Sequence, residues 1–423
     1  MHEFAGGAVR ALAACIVFVC AGCGVERPPD RISGRIPVDD PRFGEVMGSL
    51  LGPPLVSGNS CTTLLNGDEI FPAMLGAIKS AHRSITLETY VYWSGSIGQQ
   101  FADALCERAK AGVAVDVIMD WFGSSKMSPA LLRELKEGGV KVSMFHPFEF
   151  WNPATWGHVD NRTHRKIMVV DGRVGFTGGV GIADLWQGNA DRPDHWRDNH
   201  YRIEGPVVAQ LQSAFMDNWA TLHGVVPVGE AFFPALTPTG NLRAQVFKSS
   251  ATSGSESMQL MALLSIRGAS HNIRIETAYF VPDAITQYYL IDARHRGVSV
   301  EIIIPGPHLD QKLVELASRR EWGDLLKAGV ALYDYQPTMF HCKQMIVDDQ
   351  WISIGSSNFD NRSFRLNDEC NLNVLDRDFA VGQIAVFEHD KSNARRITYE
   401  QWLHRPLVKK IADFFSRLLD QEL

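Results

Sequence analysis

The chain has 423 residues, of which 45% are hydrophobic and 21% charged, and its formal net charge is −7. That length holds two domains of ordinary size or a duplicated fold with an internal interface, and the balance excludes extensive disorder. An overall negative charge gives no global basic field, so nucleic acid is not the expected partner, and an anionic substrate would need a local cationic site.

Residues 7–23 are almost wholly apolar, with Arg10 near their start, and they are too few for a comfortable membrane span. The run closes on Cys20-Ala21-Gly22-Cys23 and is followed at once by a polar, Pro-containing stretch. Small residues before a cysteine resemble a bacterial lipoprotein signal, which makes Cys23 the expected lipidated residue. Leu12-Ala13-Ala14-Cys15 also fits locally but leaves almost no apolar region ahead of it. Residues 24–58 are rich in Pro, Gly and charge and read as a linker.

From about Asn66 the pattern alternates between helix and strand. Apolar residues at helical spacing mark Asp68–Ala81, and Ser84–Trp93 reads as a strand. A helix follows over Ile97–Ala111, a strand over Val113–Met119, a helix over Pro129–Glu137 and a strand over Val140–Phe145. Such alternation implies an α/β fold, with a parallel or mixed sheet covered by helices.

The second half repeats the first. Ser257–Ala269 reads as a helix and Asn272–Val281 as the counterpart of Ser84–Trp93, so that Glu88-Thr89-Tyr90 matches Glu276-Thr277-x-Tyr279. The two glutamates are 188 residues apart and the two histidines introduced below 177, because the first half carries a longer stretch, His146–Thr163. The chain therefore divides into a leader (1–23), a linker (24–58), a first domain (59–225), a Pro-rich junction (226–256) and a second domain (257–423).

Each half carries the same octet. The first is His164-x-Lys166 followed by an apolar run and Asp171; the second is His341-x-Lys343, an apolar run and Asp348. The apolar runs read as buried strands, and residues two apart on a strand share a face, so each His stands beside its own Lys. Small-residue turns follow, Gly178-Gly179-Val180-Gly181 and Gly355-Ser356-Ser357-Asn358, where backbone N–H groups can approach an anion closely. Two imidazoles and two ammonium groups suit a phosphodiester. One His can attack phosphorus, the other can protonate the departing alcohol, and the lysines can neutralise charge on the non-bridging oxygens.

At these residues the sequence resembles the phospholipase D superfamily, and more narrowly the bacterial cardiolipin synthases. The resemblance runs from about Asn66 to the C-terminus, through Ile85–Trp93, Arg165–Asp184, Trp196–Pro206, Asn272–Asp283 and His341–Glu369. It implies two duplicated α/β sandwich domains, each a mixed sheet flanked by helices, with one active site at their interface. It also implies a phosphatidyl transferase that forms cardiolipin from phosphatidylglycerol, or from that lipid and another phospholipid, through a phosphohistidine. The nucleophile would be His164 and the acid His341.

Each His needs an acidic partner for its second nitrogen. By the family pattern Glu369 serves His341 and Asp198 serves His164. Lys166, Lys343 and Asn358 would hold phosphate oxygens, with Gly178, Gly179, Gly355 and Ser356 shaping the turns. Asp171 and Asp348 complete the catalytic motif, although their place after a buried strand points to tying a turn. The family has Asn where this chain has Gly181, so the first motif lacks a side-chain donor.

The aromatics Phe148, Phe150, Trp151 and Trp156 in the inserted stretch are candidates for dipping into a membrane surface. Residues Tyr399–Leu423 read as a packed terminal helix. Cys342 should point away from His341 and Lys343 as a small buried residue. The acidic, His-containing run 191–200 lacks metal-ligand spacing, and no cofactor signature occurs, so neither metal nor cofactor is implied. Other readings from the same residues are a phospholipid-hydrolysing phosphodiesterase, a nuclease, and a catalytically silent lipid-binding lipoprotein.

Overall fold

The computed structural model describes residues 32–148, 150–152, 160–250, 257–407 and 410. The leader with Cys23, Trp156 and most of the terminal helix expected after Tyr399 lie outside them. The first-half elements are α1 (Phe43–Leu51), β1 (Val56–Leu65), α2 (Asn66–Lys79), β2 (Ser84–Thr89), α3 (Ser96–Lys110), β3 (Ala114–Asp120), α4 (Pro129–Glu137), β4 (Lys141–Phe145), β5 (Ile167–Val170), β6 (Val174–Gly178), β7 (Asn199–Glu204) and α5 (Val208–His223). The second half continues with β8 (Leu242–Ser249), α6 (Ser257–Gly268), β9 (Asn272–Glu276), α7 (Ala284–His295), β10 (Ser299–Pro305), α8 (Lys312–Lys327) and β11 (Ala331–Tyr335). It closes with β12 (Gln344–Val347), β13 (Trp351–Gly355), β14 (Glu369–Leu375), α9 (Arg377–Ser392), β15 (Ala394–Ile397) and α10 (Tyr399–Leu403).

Local chemistry accounts for several boundaries. Ser128 caps α4 by accepting the Leu131 N–H at 3.2 Å, with Pro129 supplying the first helical residue. Asp283 caps α7 through Thr286 N–H at 2.9 Å, and Asp376 caps α9 through Phe379 N–H at 2.8 Å. Gly224 ends α5 in the left-handed conformation, where a Cβ would be strained.

All strands join one 15-stranded sheet in the order β15-β11-β10-β9-β12-β13-β14-β8-β1-β7-β6-β5-β2-β3-β4. Outward from the β1–β8 pair the order is the same in both directions, and β15 is an extra edge strand. Strands β2, β3 and β4 run parallel, as do β9, β10 and β11. The octet strands β5 and β12 lie antiparallel to β2 and β9. The fold is thus α/β, two matching halves of a mixed sheet flanked by helices.

The octet strands are buried along their whole length. Continuous apolar runs, rather than alternating ones, are what a central strand covered on both faces requires. One apolar cluster spans the halves, joining Ile167, Val169, Tyr201 and Phe215 to Ile346, Ile352, Ile354 and Leu372.

Two readings need correction. The stretch up to residue 58, read as a linker, carries α1 and the start of β1, and buries Val38, Phe43 and Met47. The stretch 226–256, read as a junction, contains β8, which pairs with both β1 and β14. Strand β1 is short of apolar residues and without clear alternation, and β8 alternates only over Leu242–Val246, within a stretch dominated by Pro, Gly and Ser. Among the described residues no helix is long and apolar enough to cross a membrane.

The aspartates that end the octets are turn ties. The Asp348 carboxylate accepts the N–H groups of Ser270, His271 and Asn272 at 2.7–3.0 Å, just before β9. Asp171 does the same for His82, Arg83 and Ser84 before β2. Both sit at a positive φ of 51°. Each stands at the far end of its strand from the Lys, about 15 Å away at the usual rise per residue. Asp348 is buried, so Asp348→Ala should leave three N–H groups without an acceptor and destabilise by about 2–3 kcal/mol. Asp171, more open to water, should cost less. Urea midpoints of the two variants check this order.

Candidate active site

The site forms where two short backbone pairings tie one half to the other. Thr163 bridges Asp368 in parallel, with His164 N–H donating to Asp368 C=O at 2.9 Å and Asp368 N–H to Arg162 C=O at 2.9 Å. Arg197 bridges Phe340 in the same way, with His341 N–H donating to Arg197 C=O at 2.8 Å and Arg197 N–H to Met339 C=O at 2.9 Å. Each histidine thus enters the site beside the acidic residue of the opposite half.

The expected acid–histidine pairing is therefore wrong, and the partners are exchanged. His164 Nδ1 lies 2.9 and 3.0 Å from the two Glu369 oxygens, and His341 Nδ1 lies 2.7 Å from Asp198 Oδ2. Sequence proximity pairs each His with the acid of its own half, whereas the bridges pair them across. All four groups are buried. The carboxylates fix Nδ1 as the protonated nitrogen, which leaves the lone pair on Nε2; at His341 this nitrogen lies 3.2 Å from Lys343 Nζ.

Both lysines reach into the same chamber. Lys166 Nζ donates to His164 C=O at 2.8 Å, and Lys343 Nζ donates to His341 C=O at 2.6 Å. Both ammonium groups feel Glu369 and Asp198, and Lys343 acts on Lys166 as well. Burial, opposed in part by Glu369, brings Lys166 down to about 7. Burial likewise lowers Lys343. Burial lowers His164 to about 4, against the pull of Glu369, and lowers His341 to about 3, with Lys343 adding to the effect. The carboxylates go the other way: burial would raise Asp198 and Glu369, but the histidines and lysines outweigh it and hold both below the usual range. The resting site holds two neutral imidazoles and two carboxylates.

The two acids are supported differently. Glu369 accepts the hydroxyls of Ser356 at 2.5 Å and Ser363 at 2.8 Å. Asp198 accepts the Trp186 indole N–H at 2.9 Å and the Asn199 N–H at 2.8 Å. Gly178 and Gly355 occupy equivalent places, and an added Cβ would lie 2.6 Å from Asn199 C=O and 2.3 Å from Cys370 C=O. Gly179 is packed against Asp198, where a Cβ would stand 2.2 Å from the carboxylate. Asn358 is buried, and its side-chain oxygen lacks a protein partner. The Asn missing at position 181 could not be accommodated: a Cβ there would be 2.8 Å from Val91 Cβ and 3.1 Å from the Trp186 ring.

Residues without an assigned role in the sequence reading complete the chamber. Tyr90 lies edge-on to His164, with centroids 5.3 Å apart, and Tyr279 edge-on to His341 at 6.5 Å. Trp186 and Trp196 pack against His341 at 5.4 and 5.2 Å. Beneath the first octet Glu88 accepts Thr163 Oγ1 at 2.5 Å and Asn218 Nδ2 at 2.7 Å, and burial raises it to about 7. Glu276 matches it in the second half, and burial raises it strongly. The signal was present in the paired blocks Glu88-Thr89-Tyr90 and Glu276-Thr277-x-Tyr279, but nothing in them gave a direction.

Cys342 is fully buried, its Sγ 3.8 Å from Arg197 C=O, on the face away from His341. It clusters with Glu276 and Asp390, the one grouping among the described residues with the spacing for a metal ion. The Arg197 guanidinium already binds both Asp390 oxygens, at 2.8 and 2.7 Å, so a cation there would have to displace a cation. In the run 191–200, His195 pairs with Asp191 at 2.8 Å at the surface, and Asp198 belongs to the active chamber.

The family described as "Cardiolipin synthase, PLD-like domain" matches residues 74–215 and 263–391. The chain is 35% identical over 363 residues to the major cardiolipin synthase of Bacillus subtilis, covering 85% of this chain and 75% of that one. It is 32% identical over 366 residues to cardiolipin synthase A of Pseudomonas fluorescens, covering 86% and 75%. Among solved structures, phosphatidylserine synthase of Haemophilus influenzae superposes with a TM-score of 0.69 at 15% identity, over 90% of this chain and all of that one, a likeness of fold. The chain belongs to the cardiolipin synthase family of the phospholipase D superfamily, and it is an enzyme of that superfamily's transferase type.

Proposed function

We propose that the protein transfers a phosphatidyl group from phosphatidylglycerol to the hydroxyl of a second phospholipid, forming cardiolipin. The observation that carries this is the pair of buried imidazoles, each held at Nδ1 by a carboxylate of the other half, with a buried lysine bonded to the carbonyl of each. The names of its relatives supply the lipid.

In the proposed reaction His164 Nε2 attacks phosphorus as the phosphorus–oxygen bond to glycerol breaks. As the phosphodiester enters, His341 takes a proton from solution at Nε2, and the imidazolium gives that proton to the departing glycerol oxygen. Glycerol leaves, and the phosphatidyl group stays on His164. The hydroxyl of the second lipid then loses its proton to His341 and attacks phosphorus, breaking the nitrogen–phosphorus bond. Lys166, Lys343 and Asn358 hold the non-bridging oxygens, and Gly178, Gly179, Gly355 and Ser356 keep the turns narrow. The assignment of attack to His164 follows the family resemblance. Glu369 then steadies the nucleophile and Asp198 the acid.

With labelled phosphatidylglycerol the purified protein should release glycerol and form cardiolipin; phosphatidate alone would establish the hydrolase instead. His164→Ala and His341→Ala should each lower kcat by at least about a thousandfold. With a donor whose leaving group needs no proton, His341→Ala should accumulate label on His164. Label on another residue, or none, would reverse or end the assignment.

Proton balance gives a second test. Lys166 loses its proton near 7 in the free site, and an anionic phosphodiester favours the ammonium. Below that value the charged lysine is already present, and above it binding must draw a proton from solution. The affinity for a lipid phosphonate of constant single charge should therefore fall up to about tenfold per pH unit above about 7, with proton uptake in calorimetry. A pH-independent affinity would contradict this.

Attachment to the membrane is proposed through two elements. One is lipidation at Cys23. The other is an exposed aromatic rim, in which Phe150 is 73% and Trp151 82% exposed, with Phe122 on the neighbouring loop after β3. Asp120, the last residue of β3, accepts the N–H of Phe122 at 2.9 Å and that of Thr163 at 3.0 Å, so the loop adjoins the segment that carries His164. Cys23→Ser and the pair Phe150→Ala/Trp151→Ala should each weaken binding to phosphatidylglycerol vesicles by about tenfold or more. Unchanged sedimentation of either variant removes that element.

A further inference from the structure

The duplicated halves support their acids by different means, and the difference is built into the packing. Three residues after Gly355 stands Asn358, and three after Gly178 stands Gly181; Ser356 in the second half corresponds to Gly179 in the first. The Ser356 hydroxyl reaches Glu369 directly. No side chain can do the same from position 179, because Asp198 already fills the place of its Cβ. The donor comes instead from Trp186, whose indole N–H meets Asp198 Oδ2, the oxygen that also holds His341 Nδ1.

The indole reaches that point only because position 181 carries no side chain. A Cβ there would press on the far ring carbons of Trp186 at 3.1 Å. The ring is held from several sides. Its edge meets Trp196 at 4.8 Å between centroids, and Trp186 itself is 2% exposed. The turn that carries it, Asp184–Trp186, is anchored by the Asp184 carboxylate on the Ser96 and Ile97 N–H groups, at 3.0 and 2.8 Å, and by Trp196 N–H on Leu185 C=O at 2.7 Å. At Gly67 a Cβ would lie 1.9 Å from Trp186 C=O, so the backbone is clamped as well.

We infer that Trp186 is a positioning residue for His341: its indole N–H orients Asp198, and Gly181 is the space that admits the ring. Trp186 supplies to Asp198, from the side, the donor that Ser356 brings to Glu369 in the other half. An indole N–H only donates, so it favours the ionised Asp198 and, through it, the Nδ1–H tautomer of His341.

The rate part of the test rests on the proposed transfer reaction, and the spectroscopic part does not. In the full-length protein, nitrogen-15 spectra should show His341 as the pure Nδ1–H tautomer. In Trp186→Phe, which keeps a ring but loses the N–H, His341 should become a tautomer mixture while His164 is unchanged. Glycerol release from phosphatidylglycerol should fall about tenfold in kcat, with KM within about twofold. A pure Nδ1–H His341 in that variant, with unaltered kcat, overturns the inference. If the wild type does not turn over phosphatidylglycerol, the transfer reading fails and the tautomer result still decides the role of Trp186. If Trp186→Phe does not fold, Gly181→Ala tests the same contact, since its Cβ would stand 3.1 Å from the ring and 2.8 Å from Val91 Cβ and so crowd the indole at Asp198. A His341 signal unmoved by that change is equally fatal.

Discussion

The arrangement depends on two backbone contacts, Thr163 with Asp368 and Arg197 with Phe340, which cross from one half of the chain to the other. They place His164 beside Glu369 and His341 beside Asp198. Neither half contains a complete imidazole–carboxylate pair. A carboxylate that must hold Nδ1 within hydrogen-bond distance tolerates little displacement of one half against the other. The shared apolar cluster around Ile167, Tyr201, Ile346 and Leu372 supplies the rigidity this needs. Arg197, next in sequence to Asp198, adds a buried ion pair to Asp390 on α9. Breaking such a pair leaves a buried charge without a partner, so it fixes the geometry more than it adds stability.

Burial gives the chamber its chemistry. Bringing Lys166 from its ordinary range to about 7 corresponds to a penalty on the ammonium of the order of 5 kcal/mol. Desolvation outweighs the two carboxylates at both lysines, so each ammonium gains from further negative charge. A phosphodiester carries that charge, and the charge on its oxygens grows as a fifth bond to phosphorus forms. The same desolvation that depresses the resting cations then strengthens their hold on the reacting group.

Much of this was legible in the sequence. The octets, their small-residue turns and the alternation of helix and strand follow from periodicity, and α4 and β5 have the bounds that their residues imply. The trans pairing was not legible, because a linear reading attaches each acid to the histidine of its own half and carries no information on which half faces which. Strands β1 and β8 were missed for a different reason. They meet each other at the centre of the sheet, and their burial follows from that meeting and not from their own alternation. Gly181 reads as a loss when only its own position is considered. Its role emerges once Trp186, five residues on, is seen in the vacated volume.

A duplicated fold builds a chamber with near twofold symmetry, yet the reaction proposed for it is not symmetric. One imidazole has to meet phosphorus with a lone pair while the other carries a proton. Two equivalent environments would leave that choice degenerate. The supports of the two acids break the equivalence. Glu369 is held by hydroxyls, which can rotate between donating and accepting. Asp198 is held by an indole that only donates, and aromatic rings close over its histidine. A carboxylate fixed in its ionised form favours the imidazolium beside it once a phosphate charge has entered. On that argument the asymmetry favours His341 as the acid and leaves His164 the lone pair, the same order that the family resemblance implies.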